Sequence, residues 1–230
     1  MSDHTLIEGQ AAAIRIENLD TDQIMPKQFL HGIDKSGLAE GLLYDLRFDP
    51  QGNARPDFVL NRCDYAKTRV LVAGANFGCG SSREHAVWGL QQFGIQAVIA
   101  SSFAEIFYSN AMNNRLLLVM LPQEQVAALV RDSQDPTTGH VQIDVNTMRV
   151  KSASVDAPFT LSPRHRKMFL EGLDVIGLSL TYRDQIDAFA ERHWAQHPWM
   201  KDVARTVRDR LNRIEVNALR GGADAPIANC

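Results

Sequence analysis

The segment Gly74-Ala75-Asn76-Phe77-Gly78-Cys79-Gly80-Ser81-Ser82-Arg83-Glu84-His85 gathers small, hydroxylated and charged residues between an apolar run and an amphipathic one. Glycines let backbone N–H groups come close to a ligand, and a helix start adds a potential that favours an anion. The chemistry expected there is capture of an acidic small molecule, with the planar fork of Arg83 suited to a carboxylate. A serine in such a place is a poor base unless its alkoxide is stabilised, and backbone amides with an adjacent guanidinium offer that stabilisation. Helix capping by Ser81 or Ser82 is the structural alternative, but capping requires neither the glycines before them nor the arginine after. Gly78-x-Gly80 begins like a dinucleotide fingerprint, yet its third glycine position is Arg83 and no Gly-Lys-Ser/Thr ending follows. The Gly-x-Ser-x-Gly turn of acyl-transfer enzymes is absent.

Metal chemistry finds little support. The cysteines, Cys63, Cys79 and Cys230, are three in number and widely spaced. That argues for a reducing compartment rather than a disulfide framework. An iron–sulfur cluster takes three or four thiolates, so this chain does not hold one by itself. Cys79 reads as a small buried filler. His193 and His197 are spaced i, i+4 on an expected helix, but no third ligand accompanies them.

The elements that must position the loop follow from periodicity. Val70 to Ala73 reads as a buried strand, Ser82 to Phe93 as a helix, Ala97 to Ala100 as a strand, Phe103 to Asn113 as a helix and Leu116 to Leu121 as a strand. That alternation predicts parallel pairing with helical crossovers, and ligands in such sheets bind beyond the carboxyl ends of the strands. Upstream, Ala12 to Ile16 is a first strand, followed by a turn rich in Asn and Asp. Residues 26–56 are punctuated by proline and glycine, with one short helix over Leu38 to Asp45. Downstream, Pro122 to Asp132 is a helix, Val141 to Val145 and Arg149 to Ala153 a hairpin, and 163–173 a helix framed by Pro163 and Gly172. Arg183 to Gln196 and Pro198 to Leu219 are helices before an irregular tail.

With 230 residues, 45% hydrophobic and 22% charged, the composition is that of a globular protein with a real core. The net charge of −3 gives no general field for nucleic acid. No apolar run approaches the roughly 18 to 20 residues that span a bilayer. Met1 to Gln10 does not read as a signal peptide, so a cytoplasmic location is expected.

Asn76 to Ala86 resembles the signature of the mobile C-terminal domain of the aconitase superfamily, and Asp20-Thr21-Asp22-Gln23-Ile24-Met25-Pro26 resembles its second signature. The similarity runs from about Leu6 to Ala190, through Pro56 to Asn61, Ala104 to Tyr108 and Gly172 to Leu178, and is nearest to the small subunits of 3-isopropylmalate dehydratase. The resemblance implies an α/β fold: an aconitase-type swivelling (β/β/α) domain over 1–195, with a mainly parallel central sheet; where typical small subunits stop, this chain departs from the family and continues over 196–230 as a helical C-terminal extension and tail. It implies a hydro-lyase of leucine biosynthesis, active only with a large subunit that carries a [4Fe-4S] cluster. Ser81 matches the family's catalytic base, and Ser82 and Arg83 its substrate-binding positions.

Asp22 lies in the family's Asp-Thr-Asp pattern, either orienting the loop near substrate or making an Asx-turn. Lys27 and Lys35 sit in or beside the specificity loop, able to contact a carboxylate or to remain solvated. Glu84 and His85 belong to the signature, but capping and core hydrogen bonding would explain both. Lys35-Ser36-Gly37-Leu38-Ala39 stands where the family commonly has Arg-Thr-Gly-Phe-Gly. This leaves open another branched hydroxy-diacid, of methylmalate or dimethylmaleate type, and also a non-catalytic binding module of the same fold.

Overall fold

The computed structural model describes residues 5–30 and 36–221, with side chains described as far as Ile214. The chain divides into a compact unit ending at Leu178 and a second beginning at Ser179. In the first, the strands are β1 (Leu6–Ile14), β2 (Thr68–Ala73), β3 (Ala97–Ala100), β4 (Leu117–Met120), β5 (His140–Asp144), β6 (Arg149–Lys151) and β7 (Asp156–Pro158). They form one sheet in the order β4-β3-β2-β1-β5-β6-β7. The helices of this unit are α1 (Thr21–Ile24), α2 (Leu38–Gly41), α3 (Tyr44–Arg47), α4 (His85–Phe93), α5 (Glu105–Asn113), α6 (Gln123–Asp132) and α7 (Pro163–Glu171). Helix α8 (Val175–Leu180) spans the division.

Strands β1 to β4 are mutually parallel and form the main body of the sheet, while β5 to β7 continue it as antiparallel neighbours. Val70, Leu71, Val72 and all of Ala97–Ala100 are wholly excluded from solvent. Parallel strands buried on both faces read as unbroken apolar runs, which is why these were legible. Strand β1 is the seam. Its first half, Leu6 to Gln10, pairs antiparallel with β5, and its second half, Gln10 to Ile14, pairs parallel with β2 across an irregularity at Gln10/Ala11.

Several boundaries differ from the sequence reading for identifiable reasons. Strand β1 starts six residues before the expected Ala12, because Glu8-Gly9-Gln10 interrupts the apolar alternation. Strand β7 was not expected. It is the sheet's outer strand, where Pro158 costs no interior ladder bond. The helix expected over Leu38 to Asp45 breaks into α2 and α3 at Leu42 and Leu43, both fully buried, with Leu43 in the left-handed region at φ 52°. Helix α7 follows its predicted frame: Ser162 caps it by accepting from the His165 N–H at 3.2 Å, Pro163 opens it, and Gly172 closes it at φ 65°.

The second unit contains the two expected helices, α9 (Arg183–Gln196) and α10 (Val203–Gly221); the second starts five residues later than expected, because Pro198–Met200 form a separate 3-10 turn. Ile186, Phe189, Trp199, Val207, Leu211 and Ile214 are all exposed. His193 stacks on His197 with ring centroids 4.7 Å apart, and His197 Nδ1 lies 3.2 Å from the His193 carbonyl, an arrangement of packed rings rather than converging ligands. The tail beyond Gly221 lies outside the described residues.

The end of α6 is tied to the β6–β7 connection by Asp132, a buried carboxylate. It accepts from Ser152 Oγ, from Ser154 N–H at 3.0 Å and from Ser154 Oγ at 2.8 Å. Burial alone would raise its pKa, but these hydrogen bonds and the nearby Arg131 outweigh it and hold the group below the ordinary 3.8. A depressed folded-state value means stability that is complete above the unfolded value and lost as pH falls through the folded one. Asp132→Asn is therefore expected to cost about 2 kcal/mol at neutral pH. In urea titrations the gap from the unsubstituted chain should shrink as pH is lowered below 3.8; a gap independent of pH would contradict the assignment.

Candidate active site

Because β1 and β2 run parallel, their carboxyl ends lie side by side and the segments that follow continue as a pair. Gly74 N–H donates to Ile14 O at 3.0 Å, Asn18 N–H to Ala75 O at 2.9 Å, Gly78 N–H to Leu19 O at 2.8 Å and Thr21 N–H to Cys79 O at 2.9 Å. Two of the loop glycines are required by this close approach rather than by a ligand. A Cβ on Gly74 would fall 2.3 Å from Ile16 O, and one on Gly78 would fall 2.2 Å from the Phe107 ring. Phe77 is buried edge-on to both Phe103 and Phe107, which anchors the loop to the sheet and to α5.

Helix α1 follows directly. Asp20 is its N-cap, accepting from Gln23 N–H at 2.7 Å while Gln23 Oε1 accepts from Asp20 N–H at 3.2 Å, a complete capping box. The next residue, Thr21, is 1% exposed. Its hydroxyl donates to Ser81 O at 3.0 Å and accepts from Ser81 N–H at 3.1 Å. Asp22 Oδ1 then pairs with Arg83 Nη1 at 2.8 Å, and the same Nη1 donates to Met25 O at 3.4 Å. The capping role therefore belongs to Asp20, while Asp22 steers the guanidinium. Both bonds fall on Nη1, so the Nε/Nη2 edge of Arg83, the edge that takes a carboxylate by two hydrogen bonds, has no acceptor among the described residues.

Ser81 and Ser82 are exposed, and neither hydroxyl has a hydrogen-bond partner among the described residues. Neither serine caps α4. That helix begins at His85 with Glu84 as its N-cap, three residues later than expected. The backbone of Ser81 is committed to Thr21, Ser82 O accepts from Asn110 Nδ2 at 3.2 Å, and the Glu84 carboxylate accepts from Asn114 Nδ2. Asn114 Oδ1 in turn accepts from Trp88 Nε1 at 3.0 Å, and the His85 ring packs on Trp88. The N–H groups of Ser82 and Arg83 have no acceptor among the described residues. Both residues precede α4 and belong to a loop rather than to a helix start. Cys79 is only partly buried, with Sγ 3.2 Å from Asn18 O, rather than the buried filler expected. Lys27 is exposed, and Lys35 lies outside the described residues.

Residues 1–124 match the family described as the aconitase C-terminal domain. The chain is 64% identical to 3-isopropylmalate dehydratase small subunit 1 of Chromobacterium violaceum over 211 residues, 92% of this chain and all of that one. It is 45% identical to the 3-isopropylmalate dehydratase small subunit of Phenylobacterium zucineum over 202 residues, 87% of this chain and 99% of that one. The chain belongs to the 3-isopropylmalate dehydratase small-subunit family. Its fold matches the crystal structure of 3-isopropylmalate dehydratase from Methanocaldococcus jannaschii with a TM-score of 0.58 at 29% identity, covering 80% of this chain and 99% of that one. The mixed α/β architecture with four parallel strands at its centre is therefore that of the small-subunit family.

Ser81, Ser82 and Arg83 lie together on the loop before α4, and Asp22, from α1, reaches Arg83. Among the described residues there is no group of three His, Cys, Asp or Glu side chains placed to hold a metal, and no helix long and apolar enough to cross a membrane. The residues missed by sequence reasoning are Thr21, Asn110 and Asn114. The signal for Thr21 was its position between two aspartates in the second signature; nothing local marked the two asparagines, which reach the loop from α5.

The two left-handed glycines of the loop offer a contrast. Gly78 at φ 78° and Gly80 at φ 88° carry similar backbone strain when substituted, but only Gly78 adds collision with a buried ring, a Cβ on Gly80 meeting nothing closer than 3.4 Å. Gly78→Ala is expected to cost about 3 kcal/mol or more and Gly80→Ala about 1. Chemical denaturation of the two variants checks this, and equal losses would show that Phe107 yields.

Proposed function

We propose that this chain is the small subunit of a two-chain hydro-lyase that interconverts 2- and 3-isopropylmalate by dehydration and rehydration, in the cytoplasm, within leucine biosynthesis. Residues 1–195 constitute the swivelling domain and 196–230 a helical extension and tail. The observation that carries this reading is Ser81, its backbone held on both sides by Thr21 and its hydroxyl without a partner among the described residues, two positions before an Arg83 whose Nε/Nη2 edge is likewise uncommitted there.

The reaction removes a proton from a carbon beside a carboxylate and a hydroxyl from its neighbour, then returns water in the opposite sense. Ser81 takes the proton as alkoxide. The N–H groups of Ser82 and Arg83 and the positive charge of the guanidinium stabilise that alkoxide without reorganisation, the preorganised arrangement that lowers barriers most. Arg83 binds a substrate carboxylate with its Nε/Nη2 edge while Asp22 and Met25 O hold Nη1. Ser82 and, from the specificity loop, Lys35 complete the grip. The spatial order of base and clamp keeps the carbon-bound hydrogen in front of Ser81.

A [4Fe-4S] cluster is assigned to the large subunit, where it supplies a Lewis acid for the hydroxyl that leaves. Among the described residues the thiols do not fit such a group: Cys63 is exposed, Cys79 donates to the Asn18 carbonyl, and no three His, Cys, Asp or Glu side chains are placed together.

Reconstitution with a cognate large subunit tests the roles. Ser81→Ala is expected to lower kcat by about 10³-fold with KM nearly unchanged, the loss typical of a missing general base. Unchanged turnover would instead indicate a binding module. Asp22→Asn is expected to raise KM for isopropylmalate about fivefold, the effect of releasing a half-exposed ion pair that orients the clamp. Faster turnover of methylmalate or dimethylmaleate than of isopropylmalate would assign the loop at Lys35 to another diacid.

A further inference from the structure

The second signature contains a residue whose placement is explained neither by capping nor by substrate contact. Thr21 is buried to 1% exposure, yet its hydroxyl makes two hydrogen bonds, both to the backbone of one residue 60 positions away. A single hydroxyl can donate once and accept from a further donor. Thr21 spends both capacities on Ser81, taking its N–H and giving to its C=O. Its own N–H holds Cys79 O at 2.9 Å, so it grips the chain on both sides of Gly80.

Gly80 sits at φ 88°, a conformation that leaves the loop free to pivot unless something outside it fixes the next residue. Fixing both peptide groups of Ser81 fixes the direction of its Cα–Cβ bond. The hydroxyl is left with rotation about χ1 alone. Nothing else in the described chain restrains that side chain, since Ser81 is exposed and its Oγ has no partner there.

We infer that Thr21 is the positioning residue for the base, setting the direction of Ser81 toward the reacting carbon without touching substrate. The inference rests on Ser81 acting as base. It also follows that the Ser81 N–H takes no part in stabilising the alkoxide, being spent on Thr21; the donors are those of Ser82 and Arg83.

A base displaced by about 1 Å costs on the order of 10²-fold in rate. In the reconstituted two-subunit enzyme, Thr21→Val keeps the shape and removes both hydrogen bonds, while Thr21→Ser keeps the hydroxyl. Thr21→Val is expected to lower kcat by about 30- to 100-fold with KM held within about threefold. Thr21→Ser should return kcat to within about fivefold of the unsubstituted enzyme. In a Ser81→Ala background, Thr21→Val should cost no further kcat, because its effect passes through the serine. The inference is overturned if Thr21→Val keeps full kcat, if Thr21→Ser is as slow as Thr21→Val, or if the two substitutions multiply. Should Thr21→Val not assemble with the large subunit, Thr21→Cys replaces it: wild-type kcat overturns the inference and a loss of tenfold or more at constant KM supports it. Failure of the base assignment itself is separate, since it appears as full turnover in Ser81→Ala alone.

Discussion

Parallel pairing of β1 with β2 is the constraint on which the site depends. Two signatures that lie some 60 residues apart meet because the strands preceding them end at the same edge of one sheet. Closing a loop of that length costs about 4 kcal/mol in its length-dependent part alone. The burial of Ala11, Ala12, Val70, Leu71 and Val72 in the sheet centre offsets it. The loops themselves then need only local bonds to stay in register: four backbone contacts, the capping box at Asp20 and the hydroxyl of Thr21.

The site so formed has an asymmetric economy of polar groups. Backs of residues are satisfied inside the chain and fronts are left open. Among the described residues, Ser81 has its peptide groups bonded and its hydroxyl without a partner; Arg83 has Nη1 bonded twice and its other edge without an acceptor; Ser82 has its carbonyl bonded and its N–H without an acceptor. The Asp22–Arg83 pair, with side-chain exposures of 58% and 22%, adds little to stability. Its effect is to orient the fork. Open donors of this kind are stable in water and become strong once a partner subunit excludes solvent, which fits a chain that completes its site only in a heteromeric assembly.

How much of this could be read from the residues depended on where the determining contacts lie. Ala97–Ala100 and Arg183–Gln196 appear where periodicity put them, and α7 keeps its Ser-Pro to Gly frame, because burial and capping are local properties. The failures are tertiary. Leu42 and Leu43 break a helix to reach one core, and β7 forms only because β6 offers an edge. The start of α4 shifted from Ser82 to His85 because Thr21 and Asn110 engage the serine backbones from elsewhere. In the site, Ser81 and Arg83 were legible as residue types in a motif. The direction each faces was not, since Thr21 and Asp22 supply it from α1, on the segment that follows β1.

The central claim is that the loop pair presents Ser81 as base and the outer edge of Arg83 as carboxylate clamp. A crystal structure of the assembled two-subunit enzyme with isopropylmalate bound tests it most directly. The account predicts Ser81 Oγ about 3 to 3.5 Å from the carbon that loses its hydrogen, a carboxylate on Nε and Nη2 of Arg83, and the Thr21–Ser81 bonds intact. A side chain of the large subunit standing at that carbon, with Ser81 turned away, would contradict it.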